Sequence, residues 1–130
     1  MLPEREFALE WLRKAQNDLL SAKAVLQSEY GITDVPCFHA QQTAEKALKG
    51  FLTYHHIDFG RTHDLMVLLA ETVKIEPNFG NYRALCEELS DFAVDVRYPG
   101  GISEPPEGEA ERFVEAASNM LSFVKRMLSL

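Results

Sequence analysis

The sequence predicts an all-α fold, an up-and-down antiparallel bundle of four to five helices, on three observations. Apolar residues recur at steps of three and four along most of the chain. No alternating apolar–polar segment of useful length is present, so a sheet has nothing to be built from. The links between the helical segments are short, roughly 5–11 residues, which favours antiparallel neighbours. With 130 residues and about 150 residues per domain as a prior, residues 1–130 are read as one domain. A composition of 46% hydrophobic and 25% charged residues is an ordinary globular balance and excludes disordered and fibrous classes.

The first helix is expected between Glu4 and Glu29. Its stripe is Ala8, Trp11, Leu12, Ala15, Leu19, Ala22 and Leu26, and Gly31 stops it. The second runs from Val35 to His56 on Cys37, Ala40, Ala44, Ala47, Leu48, Phe51 and His55, with Asp34 as its cap and Pro36 in its first turn. A third, shorter helix follows Thr62 and uses Leu65, Leu68, Leu69 and Val73. The fourth carries Tyr82, Leu85, Cys86, Leu89, Phe92, Ala93 and Val96, and ends where Tyr98-Pro99-Gly100-Gly101 forbids another turn. Ser103-Glu104-Pro105-Pro106-Glu107 opens a fifth helix on Ala110, Phe113, Val114, Ala117, Leu121, Val124 and Leu128. The Tyr98–Glu107 loop holds three of the six prolines and two of the seven glycines and is the expected mobile or partner-facing segment.

Charge narrows the function classes. Thirteen Lys and Arg against twenty Asp and Glu give a net charge of −7. Residues 31–63 are neutral, with three charges of each sign and all four histidines, while residues 64–130 hold 12 anions against 6 cations. Strong non-specific nucleic-acid binding needs a basic face that neutralises about 6–10 phosphates and is not expected; a small local phosphate site is compatible. No stretch approaches the ~18 apolar residues of a membrane helix. Glu4, Arg5, Glu6 and Glu10 rule out a secretory hydrophobic region at the start, so no membrane association and a cytoplasmic location are expected. Cys37 and Cys86 have no metal-type spacing and read as buried thiols on apolar faces. There is no phosphate-binding Gly-rich loop, no dinucleotide fingerprint, no HExxH, no Glu-x-x-His pair and no GxSxG. His55 and His56 point about 100° apart on a helix, so neither a metal site nor a cofactor is assigned.

The informative segment is Cys37-Phe38-His39-Ala40-Gln41-Gln42-Thr43-Ala44-Glu45-Lys46-Ala47-Leu48-Lys49-Gly50-Phe51-Leu52. Gln42, Glu45 and Lys49 share one polar ridge beside the apolar stripe, with Lys46 next to it on the outer side. Glutamine and glutamate there can bond a base or ribose edge, and lysine can meet a phosphate as a point charge. The plain structural reading is an i,i+4 ion pair from Glu45 to Lys49 on a solvated face, worth ~0.2–0.5 kcal/mol. In Arg61-Thr62-His63-Asp64-Leu65, Thr62 is read as the cap of the third helix, Asp64 as a first-turn acid and His63 as the histidine at a helix start. Asp18 borders the apolar stripe of the first helix and needs a cation or amide partner, for which Arg97 is a candidate; Arg97 can equally cap its own helix end.

A first helix with Trp11, Ala15, Asp18 and Ala22, then "CFHAQQTAEKALKGFL", then "RTHDL", then "VRYPG" after a fourth helix, together resemble the prokaryotic HEPN domain over about Glu4 to Leu130. The resemblance implies a bundle of four or five helices, similar to the substrate-binding domain attached to some nucleotidyltransferases. It implies a minimal nucleotidyltransferase as partner, frequently in a toxin–antitoxin pair, a homodimer, and a nucleotide such as ATP or GTP as ligand. Carried over residue by residue, the implied nucleotide-binding set is Gln41, Gln42, Glu45, Lys46, Lys49, His63, Asp64, Arg97 and Tyr98. The chain departs from the family's ribonucleases, which place a His four to six residues after an Arg near the fourth helix. Here no His follows Arg97, and Arg61 to His63 is too short. That mechanism needs an imidazole to move a proton and an arginine to steady the phosphorane, so no catalytic residue is assigned. The leading expectation is a non-catalytic binding subunit. Its rivals are a diverged ribonuclease toxin that brings Arg97 and His63 together, and a helical interaction module without a ligand.

Overall fold

The computed structural model describes residues 3–92 and 104–130, and every described element is helical. The elements are α1 (Pro3–Leu26), α2 (Asp34–Tyr54), α3 (Leu65–Ile75), a 3-10 turn (Pro77–Tyr82), α4 (Arg83–Ser90) and α5 (Glu107–Met127). The long helices α1, α2 and α5 form the body of the bundle, and α3, the turn and α4 close over α2. The expected all-α bundle is what the chain forms.

α1 and α2 pack antiparallel along their whole length because both present small residues to the seam. Ala8, Ala15 and Ala22 face Ala40, Ala44 and Ala47, all fully buried. Thr43 Oγ1 bridges the two backbones, donating to the Ala15 carbonyl at 3.4 Å and to the His39 carbonyl at 2.8 Å. Farther along, a Cβ on Gly50 would stand 3.0 Å from Leu12 Cδ2 and 3.3 Å from Trp11 Cβ, so the close approach leaves little room for a larger residue there. α5 returns antiparallel to α1, and Lys125 Nζ donates to Gln16 Oε1 at 3.2 Å. No described helix is long and apolar enough to cross a membrane.

Helix ends depart from expectation in ways with local causes. Asp34 is not the cap of α2 but its first residue; Thr33 holds the cap position without a side-chain bond. Thr62 does not cap α3. Asp64 does, its carboxylate accepting from the Met66 and Val67 amides, while Thr62 Oγ1 accepts from the Asp64 amide. The fourth helix does not begin at Tyr82: Pro77 opens a separate 3-10 turn, capped by Glu76, and α4 starts at Arg83. That turn delivers Phe79 into the core, where its ring meets Phe51 at 4.7 Å and Phe123 at 4.9 Å between centroids. The fifth helix begins at Glu107, after both prolines. The expected continuation through Ala93 and Val96, and most of the Tyr98–Glu107 loop, lie outside the described residues.

Candidate functional site

α2 carries the polar groups of interest, and two adjoining networks organise them. In the first, Asp18 of α1 uses both carboxylate oxygens: His39 Nδ1 lies 2.9 Å from Oδ1, and the Lys46 ammonium binds Oδ2. Among the described residues the cation that meets Asp18 is therefore Lys46, with His39 beside it; Arg97, the candidate read from the sequence, lies outside the described residues. The antiparallel seam decides this, because it sets Asp18 opposite two positions of α2 that are seven residues apart and so on one face.

The second network is buried. Glu45 and Lys49 side chains are only 4% and 5% exposed, and Lys49 Nζ donates to Glu45 Oε2 at 3.1 Å. The expectation of an ion pair on a solvated face is thus overturned. Gln41, fully buried, directs Nε2 toward Glu45 Oε1 at 3.5 Å and accepts from Gln42 Nε2 at 2.7 Å through its own Oε1. His63, at the entrance to α3, reaches back to Glu45 Oε2 with Nδ1 at 3.0 Å while its ring is 78% exposed. Trp11 and Phe59 form the cover: the Lys49 ammonium lies 5.3 Å from the Trp11 ring centroid and 5.6 Å from that of Phe59, close enough for cation–π attraction. A buried carboxylate is tolerable only when its oxygens are met by donors, and Lys49, His63 and Gln41 supply them.

Of the implied binding residues, Gln41, Gln42, Glu45, Lys49 and His63 are therefore joined in one hydrogen-bonded chain. Lys46 stands beside it on Asp18, and Asp64 fixes the start of α3 next to His63. Arg97 and Tyr98 fall outside the described residues. His39 was not among the implied residues, and its pairing with Asp18 had no signal beyond the position of Asp18 itself. The burial of Glu45 and Lys49 did have one. Ala47-Leu48-Lys49-Gly50-Phe51-Leu52 leaves almost no polar side on that stretch of helix, and a helix apolar all round is an interior one.

The thiols are inert by contrast. Burial pushes Cys37 and Cys86 up to about 12, with Glu109 and Asp34 adding to the effect at Cys37, so neither is a nucleophile near neutral pH. His55, packed 4.5 Å from the Phe51 ring, titrates below its ordinary 6.5 because burial disfavours its charged form and His56 repels it. Among the described residues, no three His, Cys, Asp or Glu side chains gather as a metal site would require.

Comparison with known proteins shows the family and the fold. A family model described as the HEPN domain matches residues 8–127. The crystal structure of TT1696 from Thermus thermophilus is similar at 29% identity with a TM-score of 0.75, over 92% of this chain and 96% of that one. The crystal structure of ST0689, described as an archaeal HEPN homologue, is similar at 26% identity with a TM-score of 0.68, over the same 92% and 96%. A search of curated proteins finds no match.

Proposed function

Because the chain belongs to the HEPN domain family, we propose that it is a non-catalytic, nucleotide-binding accessory subunit, a cytoplasmic homodimer that acts with a minimal nucleotidyltransferase in a pair of the toxin–antitoxin kind. The observation that most supports this is the gathering of Gln41, Gln42, Glu45, Lys49 and His63 into one connected chain, with Lys46 held alongside by Asp18. The members divide their work by burial. Gln41, Glu45 and Lys49 are internal and hold the edge of α2 in shape. Gln42 and Lys46 are partly exposed, an amide for a base or ribose edge and a point charge for a phosphate. His63 is oriented by Glu45, and Asp64 pins the backbone that carries it. Arg97 and Tyr98 join the proposed site on the sequence resemblance alone.

In this reading the partner performs group transfer, and this chain contributes position, which alone lowers a barrier by removing the freedom of the bound reactant. The test is purification of the tagged full-length chain from its source cells, with identification of what accompanies it, together with calorimetric titration by ATP and GTP. A nucleotidyltransferase in the eluate and saturable heat are the expected results. Absence of both overturns the proposal, as does cleavage of RNA without added metal that is lost in His63→Ala.

A further inference from the structure

The outward stripe of α1 runs Phe7, Trp11, Lys14, Asp18 and Ser21, at steps of four and three, so one face of the helix carries all five. Two depressions lie along it. One, of about 380 Å³, is lined by Phe7, Glu10, Trp11, Lys14 and Thr53 and is almost wholly apolar. The other, of about 360 Å³, is lined by Trp11, Lys14, Asn17, Asp18, Ser21 and Lys46 and is mixed in polarity. They share Trp11 and Lys14, so they are two halves of one groove between α1 and α2.

Resting on the nucleotide-binding reading but seating the ligand on the α1 side of Lys46 rather than on Gln42, we propose that this groove is the nucleotide site: the base lies in the apolar half against Trp11 and Phe7, and the phosphates lie in the polar half on Lys14, next to the Lys46 that is paired with Asp18. Four features point to a ligand with a ring at one end and negative charge at the other. Phe7 is 62% exposed, a large aromatic surface with no covering element beside a half-buried indole. The indole itself is held from the side by the Phe59 ring at 6.3 Å and by the buried Lys49 ammonium, so it is fixed before a ligand arrives. The acids of the groove are neutralised within the protein, Glu10 by Arg13 and Asp18 by Lys46 and His39. Lys14 forms no ion pair or side-chain hydrogen bond with another described residue and feels Glu10 only through space, which leaves it the unpaired cation of the groove in a chain of net charge −7. Each half is of a size that accepts a ring system or a short phosphate chain, and stacking on an aromatic face tolerates any base.

The buried network thereby gains a role. Lys49 reaches Glu45 and the Trp11 ring at once, so the Glu45–Lys49 pair positions the stacking platform rather than meeting the ligand itself.

The test is calorimetric titration of the full chain at low salt with ATP, GTP, adenosine and pyrophosphate, using wild type, Lys14→Ala and Phe7→Ala. Both substituted side chains are exposed, so folding is preserved; Lys74→Ala, an exposed cation on α3, is the control. ATP or GTP is expected to bind wild type and the control equally, and Lys14→Ala about fivefold or more weakly, with Phe7→Ala weakened less. Adenosine and pyrophosphate are each expected to bind more weakly than ATP. Equal affinity of wild type and Lys14→Ala for the nucleotide overturns the groove and leaves the nucleotide-binding reading standing. No heat from either nucleotide with wild type overturns both. A dimer that Phe7→Ala dissociates, measured by sedimentation, overturns the groove by assigning that face to a second copy of the chain.

Discussion

Replacing Lys49 by methionine keeps an unbranched stem beneath Trp11 and Phe59 but removes the ammonium 3.1 Å from Glu45 Oε2. Among the described residues, Glu45 then keeps the His63 contact at 3.0 Å and the long one from Gln41 at 3.5 Å, in a position where its side chain is 4% exposed. Breaking a buried pair from one side costs about 3–5 kcal/mol, because the remaining charge is left without its counterion. His63 still donates, which places the expected loss at the lower end, about 3 kcal/mol. For a chain of 130 residues that loss lowers Tm by about 11 °C, from the usual unfolding entropy per residue. Urea denaturation followed by far-UV circular dichroism reads the loss directly. The companion variant, Glu45→Gln with Lys49→Met, removes both charges and is expected to return to within about 1 kcal/mol of wild type, since a buried pair contributes little net over a neutral replacement. A Lys49→Met loss under about 1 kcal/mol, the range of an exposed pair, refutes burial of the network. So does a double variant whose loss equals the sum of its singles.

Other expectations test separate parts of the structure. Gly50→Val places a branched side chain 3.0 Å from Leu12 Cδ2 and is expected to destabilise by about 2 kcal/mol through overpacking; Gly50→Ala costs less, since alanine gains about 1 kcal/mol in helix propensity. A Gly50→Val protein that melts with wild type contradicts the close seam. With its pKa held below 6.5, His55 stays neutral when folded at pH values where the unfolded chain takes up a proton. Its contribution is therefore complete above about pH 6.5 and is lost as pH falls through that value toward the lowered folded pKa. His55→Asn is expected to flatten that part of the Tm–pH curve between about pH 8 and 5; superimposable slopes argue against it. Cys37 and Cys86 are fully buried with thiols pushed up to about 12, so a colorimetric disulfide reagent at mildly alkaline pH is expected to modify neither until urea is added. Rapid modification of the native protein rules this out.

The bundle was legible in the sequence because each long helix must bury a single apolar stripe, and spacing alone reveals such a stripe. The 3-10 turn was not. Pro77-Asn78-Phe79-Gly80 has no period to read, and Phe79 enters the core only because Phe51 and Phe123 surround it. Helix caps were misplaced at α2 and α3 for a related reason. Thr62 and Asp64 are both competent caps, and the difference lies in which backbone amides are left open, a matter of where the preceding chain turns. At the candidate site, the spacing of Gln42, Glu45 and Lys49 identified a ridge but not its depth. Depth depends on Trp11 and Phe59, which come from two other segments. The same holds for Asp18, whose partners are set by the register of α1 against α2.

Trp11 is the chain's single tryptophan, so its fluorescence reports the groove without a label. Titration of the full-length protein with ATP or GTP is expected to give a saturable change in Trp11 emission, diminished in Lys14→Ala at equal nucleotide concentration. Emission that stays constant while calorimetry records nucleotide binding would contradict a ligand seated against that ring.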